Sequence, residues 1–186
     1  MNDELKKELK TVTVRTACFS SCGEYRYFLK QNWQSMAKAQ KKLLVIMCNP
    51  SKANSTDDDR TISSVRNQAY KNCYSEMTVI NLSPFIETKS ESLSDKDVPT
   101  LLGDAKNYYT NNPHLFQEAD AVLCAWGALI KKYPKLKCGL PLIKKHIPKI
   151  VPIFCLELTK DGHPHHPIGI KDAKEWECFD LSQYKP

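Results

Sequence analysis

Short apolar runs, each followed at once by polar or turn-forming residues, dominate the pattern of this chain. Four such runs occur, at Leu43 to Cys48, Met77 to Ile80, Ala121 to Ala125 and Val151 to Leu158. Runs of this length bounded by turn residues are typical of buried strands, and helical patterns separate them. Strands joined by helices favour right-handed crossovers and a parallel sheet covered on both faces. We therefore predict a three-layer α/β/α fold with a central four-stranded parallel sheet.

The polar residues that follow these runs are the first candidates for a functional site. They are Asn49-Pro50-Ser51, Asn81, Trp126-Gly127, and the segment from Gly162 to Pro167, which contains His163, His165 and His166. In an open parallel sheet the carboxyl ends of the strands share one edge, and ligands bind in the crevice outside that edge. We expect these groups to converge there.

The remaining segments give a coarser picture. A helix is predicted from Thr61 to Tyr70, where Asp58, Asp59 or Thr61 can cap the first turn, and another from Leu101 to Tyr109. The segment from Tyr25 to Trp33 is predicted as an edge strand or a helix, and Glu87 to Thr100 as a surface loop. We expect residues 1–12 to form an arm or short helix, and residues 13–186 to form a single domain.

Composition limits the function classes. The chain has 186 residues and eight cysteines, and it shows neither a bilayer-length apolar stretch nor the pattern of a secretion signal. We therefore expect a cytoplasmic protein without membrane contact. Cys48, Cys124 and Cys155 lie inside apolar runs, as expected of reduced, buried thiols. The spacing of histidines and cysteines predicts no metal and no cofactor.

Positive charge is concentrated in one segment. Lysine and arginine total 27 against 21 acidic residues, and the stretch from Lys131 to Lys149 contains no acid. Such a stretch can bind phosphates, or it can be an ordinary solvated helix face. The candidate contacts to a DNA backbone are Lys131, Lys132, Lys135, Lys137, Lys144 and Lys145.

Several short motifs together resemble a known family. They are Gly23 to Tyr27, Cys48 to Ala53 with Asp59 and Thr61 downstream, Asn81-Leu82, Trp126-Gly127, and Gly162 to Pro167. Over almost its whole length the chain is similar to the family called domain of unknown function 1643, a label that names no activity.

The order of the motifs at the strand ends also resembles the uracil-DNA glycosylase superfamily. That resemblance implies the same fold and the hydrolysis of an N-glycosidic bond on a base flipped out of DNA. It implies catalytic roles for Asn49 and for either His163 or His166. Asp59 is a further catalytic candidate, as a carboxylate just downstream of Asn49. The resemblance implies substrate contacts by Pro50, Ser51, Asn81, Tyr70, Phe85, Trp126 and Gly127, with Ile168 as the apolar wedge.

Three departures from the superfamily pattern point to lost catalysis. Asn49 stands where the strongest enzymes have aspartate, and Met47 and Cys48 replace glycine and its neighbour. No aromatic residue lies between Ser51 and Ala69, so Tyr70 or Phe85 would have to stack the base. We therefore expect a divergent, pseudo-enzymatic member with weak or no uracil excision that binds DNA or a nucleobase.

Other functions stay open from the sequence. One is an active N-glycosylase for a different damaged or modified base, with Asp57, Asp58 or Asp59 as the carboxylate. Another is an interaction module that mimics a glycosylase surface and binds a DNA-mimicking protein inhibitor. A small-nucleotide site ranks last, because no glycine-rich loop follows the first strand.

Overall fold

The computed structural model describes residues 13–33, 40–51, 60–168, 170 and 175–185. Within them, one mixed sheet has seven strands in the order β1-β2-β4-β3-β5-β6-β7. The strands are β1 (Thr13–Phe19), β2 (Arg26–Trp33), β3 (Lys41–Met47), β4 (Tyr74–Asn81), β5 (Ala121–Cys124), β6 (Ile153–Cys155) and β7 (Glu177–Cys178). The predicted arm at residues 1–12 lies outside the described residues.

Strand pairing confirms the α/β class and enlarges the predicted sheet. The neighbours β4, β3, β5 and β6 pair in parallel, and their ends therefore share one edge. Antiparallel partners extend both sides, with β1 and β2 beyond β4, and β7 beyond β6. The segment from Tyr25 to Trp33 is thus a strand, but β1 covers its outer side, so it is not at the edge.

The helices are short apart from the first. They are α1 (Arg60–Lys71), α2 (Val98–Leu102), α3 (Ala105–Asn111), α4 (His114–Gln117), α5 (Leu129–Lys132) and α6 (Gly139–Lys144), with 3-10 turns at Ser90–Leu93 and Pro134–Cys138. The helix predicted from Leu101 to Tyr109 is two helices, because Gly103 ends α2 with a φ of +50°. The predicted loop before it contains a fully buried side chain, Leu93.

The fourth predicted run is mostly not strand. Only Ile153–Cys155 of the run from Val151 to Leu158 pairs in the ladder. Pro152 has no N–H to donate, and its carbonyl accepts from Val122 N before the strand begins. Leu158 pairs with Pro164 in a separate antiparallel bridge, which turns the chain into the histidine-rich loop.

The core lies on both faces of the sheet. Neighbouring residues of a strand point to opposite faces, so Leu44 and Ile46 pack with the short helices while Leu43 and Val45 pack with α1. Cys48, Cys124 and Cys155 are buried, as predicted. Burial raises the pKa of Cys48 to about 12, so this thiol stays protonated. No helix among the described residues combines the length and apolar character needed to cross a bilayer.

Candidate functional site

The carboxyl ends of β3 and β4 run side by side beyond the sheet. Met47 pairs with Asn81 in the parallel register. The main chain then continues the pairing, since Leu82 N donates to Met47 O at 2.9 Å and Ser83 N donates to Cys48 O at 3.0 Å. Asn49 and Asn81 therefore lie at one edge, as the strand pattern predicted.

Asn49 is half-buried and braces the loop that follows β4. Its Nδ2 donates to Glu87 O at 2.8 Å and to Pro50 O at 3.2 Å. Glu87 N donates to Pro50 O at 3.1 Å, which closes the arrangement, and Pro50 is buried. The amide N–H groups of Asn49 are thus engaged with main-chain carbonyls.

Asn81 is almost completely buried, with 1% of its surface exposed. Its Oδ1 accepts from a terminal nitrogen of Arg26 at 3.4 Å, and its Nδ2 has no hydrogen-bond partner. Leaving a buried donor unpaired costs about 1–3 kcal/mol, and a water, an ion or a ligand can supply the missing acceptor. Arg26 is itself buried. No role for this arginine could be predicted from the sequence, although it belongs to the motif from Gly23 to Tyr27.

The end of β5 contacts the histidine-rich loop through a glycine. Gly127 has a φ of +74°, and its N–H donates to Pro164 O at 2.9 Å. A Cβ at this position would lie 2.9 Å from the Cβ of His166. The preceding residue, Trp126, is fully buried and packs near Phe179. Gly127 therefore permits the close approach of the loop, while Trp126 belongs to the core.

We predict that Gly127→Ala destabilises the protein by about 2–3 kcal/mol, since strain at positive φ adds to the contact with His166. Gly162→Ala is the matched control, because Gly162 has a φ of +76° with open space around it. The control is expected to lose only about 1–2 kcal/mol. Urea unfolding measures both values. Equal losses would show that the loop does not press on Gly127.

The three loop histidines point to different partners. His163 Nδ1 lies 2.6 Å from the Tyr184 hydroxyl. His165 Nδ1 lies 2.9 Å from His166 O, and His166 Nδ1 accepts from Ile168 N at 3.3 Å. The imidazoles are therefore held separately by the loop and the C-terminal segment.

Two further contacts fix this loop. Ser64 of α1 donates to Pro167 O at 3.4 Å, and Lys131 forms a 2.7 Å ion pair with Asp161. Ile168, proposed as a wedge, follows directly and is half exposed. The loop thus lies between α1 and α5 at the carboxyl edge.

His163 is held in its neutral form. Burial lowers its pKa below the ordinary value of 6.5, the cations of Lys137 and Lys131 lower it further, and Asp161 opposes the shift. The pKa of His146, whose ring stacks on Phe116, is lowered by burial and by Lys145. Both imidazoles are therefore uncharged at neutral pH.

These two shifts predict a pH dependence of stability. The unfolded chain binds protons at His146 and His163 near the ordinary pKa of 6.5, and the folded protein binds them only at lower pH. The free energy of unfolding therefore falls as the pH drops from about 7 to about 5. Replacing either histidine with asparagine should flatten that slope in urea titrations. An unchanged slope in both variants would contradict the assignment.

The two candidate stacking residues differ in position. Tyr70 lies near the end of α1, which runs back to the start of β4, so the structure places it at the opposite edge of the sheet. Phe85 follows β4 and is buried, with Tyr25 against it in an edge-to-face contact. Lys96 Nζ lies 5.4 Å above the Phe85 ring. Phe85 is the better placed of the two, although lysine covers one face.

Carboxylates close to Asn49 are the remaining candidate groups at this edge of the sheet. Asp57, Asp58 and Asp59 lie outside the described residues. Glu87, which the sequence analysis did not single out, is joined to Asn49 through its main chain, and its Oε1 accepts from Lys89 N at 2.9 Å. Ser51 is half-buried beside Pro50.

The lysines of the basic stretch divide into two groups. Lys131 and Lys132 lie on α5, beside the histidine-rich loop. Lys131 forms the ion pair with Asp161, and Lys132 Nζ lies 5.1 Å from the centre of the Tyr133 ring. Four others border a groove beside α6 and the 3-10 turn Pro134–Cys138: Lys135, Lys137, Lys144 and Lys145. Of the six candidate lysines, four therefore line this groove and two lie on α5.

Comparison with known proteins identifies the family. A family model described as "Protein of unknown function (DUF1643)" matches residues 26–168. The chain belongs to the DUF1643 family. No curated protein and no solved structure gives a match. In this DUF1643 protein the matched region contains Asn49, Asn81, Gly127 and the histidine-rich loop, while Tyr184 lies beyond it.

Proposed function

We propose that this DUF1643 protein binds a nucleobase, presented by DNA, at the carboxyl edge of its parallel strands and leaves the N-glycosidic bond intact. The observation that carries the proposal is the state of Asn49. Its side chain stands where the resemblance to uracil-DNA glycosylases places a water-activating group, yet it is not ionisable and braces the main chain.

Base recognition would rest on Asn81. Arg26 donates to Oδ1 and so fixes which way the amide faces, and Nδ2 is left as an unpaired donor. A carbonyl oxygen of a pyrimidine is a suitable acceptor for that donor. Because Asn81 is buried, a base would reach Nδ2 only after a local movement of the side chains that cover it.

Hydrolysis of the N-glycosidic bond would lack a general base. A positioned general base contributes about 10²–10⁴-fold to such reactions, and Asn49 cannot take a proton near neutral pH. The Glu87 carboxylate is turned toward the main chain of its own loop. Phosphates of the bound strand would be met by Lys131 and Lys132, since the exposed Lys131 ion pair is weak enough to exchange partners.

The test combines an activity assay with a binding assay. Purified protein is incubated with single- and double-stranded oligonucleotides containing uracil, and abasic sites are detected by alkaline cleavage. We expect no cleavage above background. Robust turnover that is lost in Glu87→Gln would instead support the alternative, an active N-glycosylase.

Binding is measured by NMR titration with free uracil and with a uracil-containing strand. We expect shifts of the Asn81 side-chain amide and loss of binding in Asn81→Ala. Asn72→Ala is the matched control, because Asn72 caps the opposite end of α1 through a 2.9 Å bond to Gln68 O. Unchanged Asn81 resonances with both ligands would refute nucleobase binding at this edge.

A further inference from the structure

A second concave site lies outside the strand edge. A groove of about 720 Å³ runs between α6, the 3-10 turn Pro134–Cys138, the start of α2 and the C-terminal segment. This volume is in the range of ligand and peptide pockets. Its lining combines Val98, Pro134, Leu140, Pro141 and Tyr184 with four lysines.

The walls are aliphatic and the border is cationic. Val98, a residue that is 40% exposed, faces the groove together with Pro134, Leu140 and Pro141. No aspartate or glutamate is among the described residues that line it. The neighbouring Asp97 carboxylate is held by Thr100 N at 2.9 Å, where it caps α2.

Two of the four lysines keep their charge free for a ligand. Lys135 Nζ donates to the carbonyls of Ser94 and Lys96, and Lys144 Nζ lies 3.4 Å from Ser182 O. The ammonium groups of Lys137 and Lys145 form no hydrogen bond or ion pair with the part of the chain that the structure describes, although the main chain of both residues is hydrogen-bonded. The groove therefore complements an anion with an apolar body.

The ring in the groove does not provide a stacking surface. Tyr184 packs against Trp126 and Phe179 at centroid distances of 5.5 and 5.3 Å, and its hydroxyl is engaged with His163. Proteins that bind single-stranded nucleic acid combine positive charge with free aromatic faces. Aliphatic walls instead suit leucine-like side chains, as in grooves that bind amphipathic peptides.

We propose that this groove is a docking site for an acidic peptide segment of a partner protein, with aliphatic side chains against Val98 and Pro141 and carboxylates on Lys137 and Lys145. The groove shares no lining residue with Asn49, Asn81 or Gly127 at the strand edge. Because Tyr184 lines the groove and its hydroxyl contacts His163, a peptide bound in the groove would change the surroundings of His163 in the histidine-rich loop.

The test starts from a phage-displayed library of random twelve-residue peptides selected on the full chain. Enriched peptides are synthesised with a fluorophore, and binding is followed by anisotropy at several salt concentrations. We expect them to combine Asp or Glu with Leu, Ile or Val, and to shift the NMR signals of His163 and Tyr184. An oligothymidine of similar charge is tested in parallel.

Matched variants locate the binding site. Lys145→Glu and Val98→Asp are each expected to weaken peptide binding at least tenfold. Lys149→Glu and Ile150→Asp carry the same changes at exposed positions outside the groove and should weaken it less than threefold. Circular dichroism verifies that each variant is folded.

Three results would overturn the proposal. One is enrichment of no peptide, or of peptides without either acidic or aliphatic residues. Another is equal loss of binding in the groove variants and their controls. The third is displacement of the peptide by oligothymidine at lower concentration than by unlabelled peptide, which would assign the groove to nucleic acid. None of these results depends on whether uracil binds near Asn81.

Discussion

Gly139→Ala is expected to lower the free energy of unfolding by about 3–5 kcal/mol. Gly139 begins α6, and a Cβ there would collide with the carbonyl oxygen of Leu82, which belongs to the main chain just after β4. A backbone atom cannot move aside as a flexible side chain can. Helix propensity alone would make the alanine variant more stable by about 1 kcal/mol. The change in unfolding free energy expected here is therefore opposite in sign to that of a Gly→Ala substitution in a solvent-exposed helix.

Urea unfolding of wild type and variant measures this loss. Gly23→Ala is the control, because Gly23 lies in open space at a φ of +75° and should lose only about 1–2 kcal/mol. A Gly139→Ala protein as stable as wild type would mean that α6 does not pack against the end of β4. A variant that stays folded should also bind groove peptides more weakly, since α6 would be displaced.

Asn49→Asp is expected to destabilise the protein by about 2–4 kcal/mol at pH 7, more than the ~1–2 kcal/mol expected for Asn49→Ala. The amide donates to the carbonyls of Glu87 and Pro50, and a carboxylate there would face two acceptors. Alanine only leaves those carbonyls unpaired. Protonation of the new carboxyl restores one donor, so the excess loss over alanine should disappear near pH 4.

Chemical denaturation at pH 7 and pH 4 measures the Asn49 series, and the uracil-strand assay is repeated on each variant. We expect no excision by Asn49→Asp, because the carboxylate alone does not rebuild a site whose neighbouring loop it disrupts. A stable Asn49→Asp protein that releases uracil would show that one substitution separates this chain from an active enzyme.

The strand ends were the part of the site that sequence could predict. An apolar run followed by Asn-Pro or Trp-Gly indicates where a buried strand stops, and parallel pairing then brings Asn49, Asn81 and Gly127 to one edge. Tyr70 shows the limit of this reasoning. The helix was predicted at nearly the right residues, but its 12 residues span about 18 Å and return the chain to the opposite edge.

Long-range polar partners were not predictable from local patterns. Lys131 pairs with Asp161, 30 residues later, and Arg26 reaches Asn81 across 55 positions. A count of charges in the basic stretch cannot show that Lys135 is engaged with the carbonyls of Ser94 and Lys96. The two-residue strand β7 gives no periodic signal, so the placement of Tyr184 also depended on tertiary structure.

The brace on His163 comes from a residue outside the part of the chain that defines the family. Residues 26–168 match the family model, and Tyr184 lies 16 residues past its end. A relative that shares the common core but ends differently must orient this imidazole with another group or leave it free to rotate. Exchanging the C-terminal segments of two family members should therefore change the orientation of this histidine while leaving the strands unchanged.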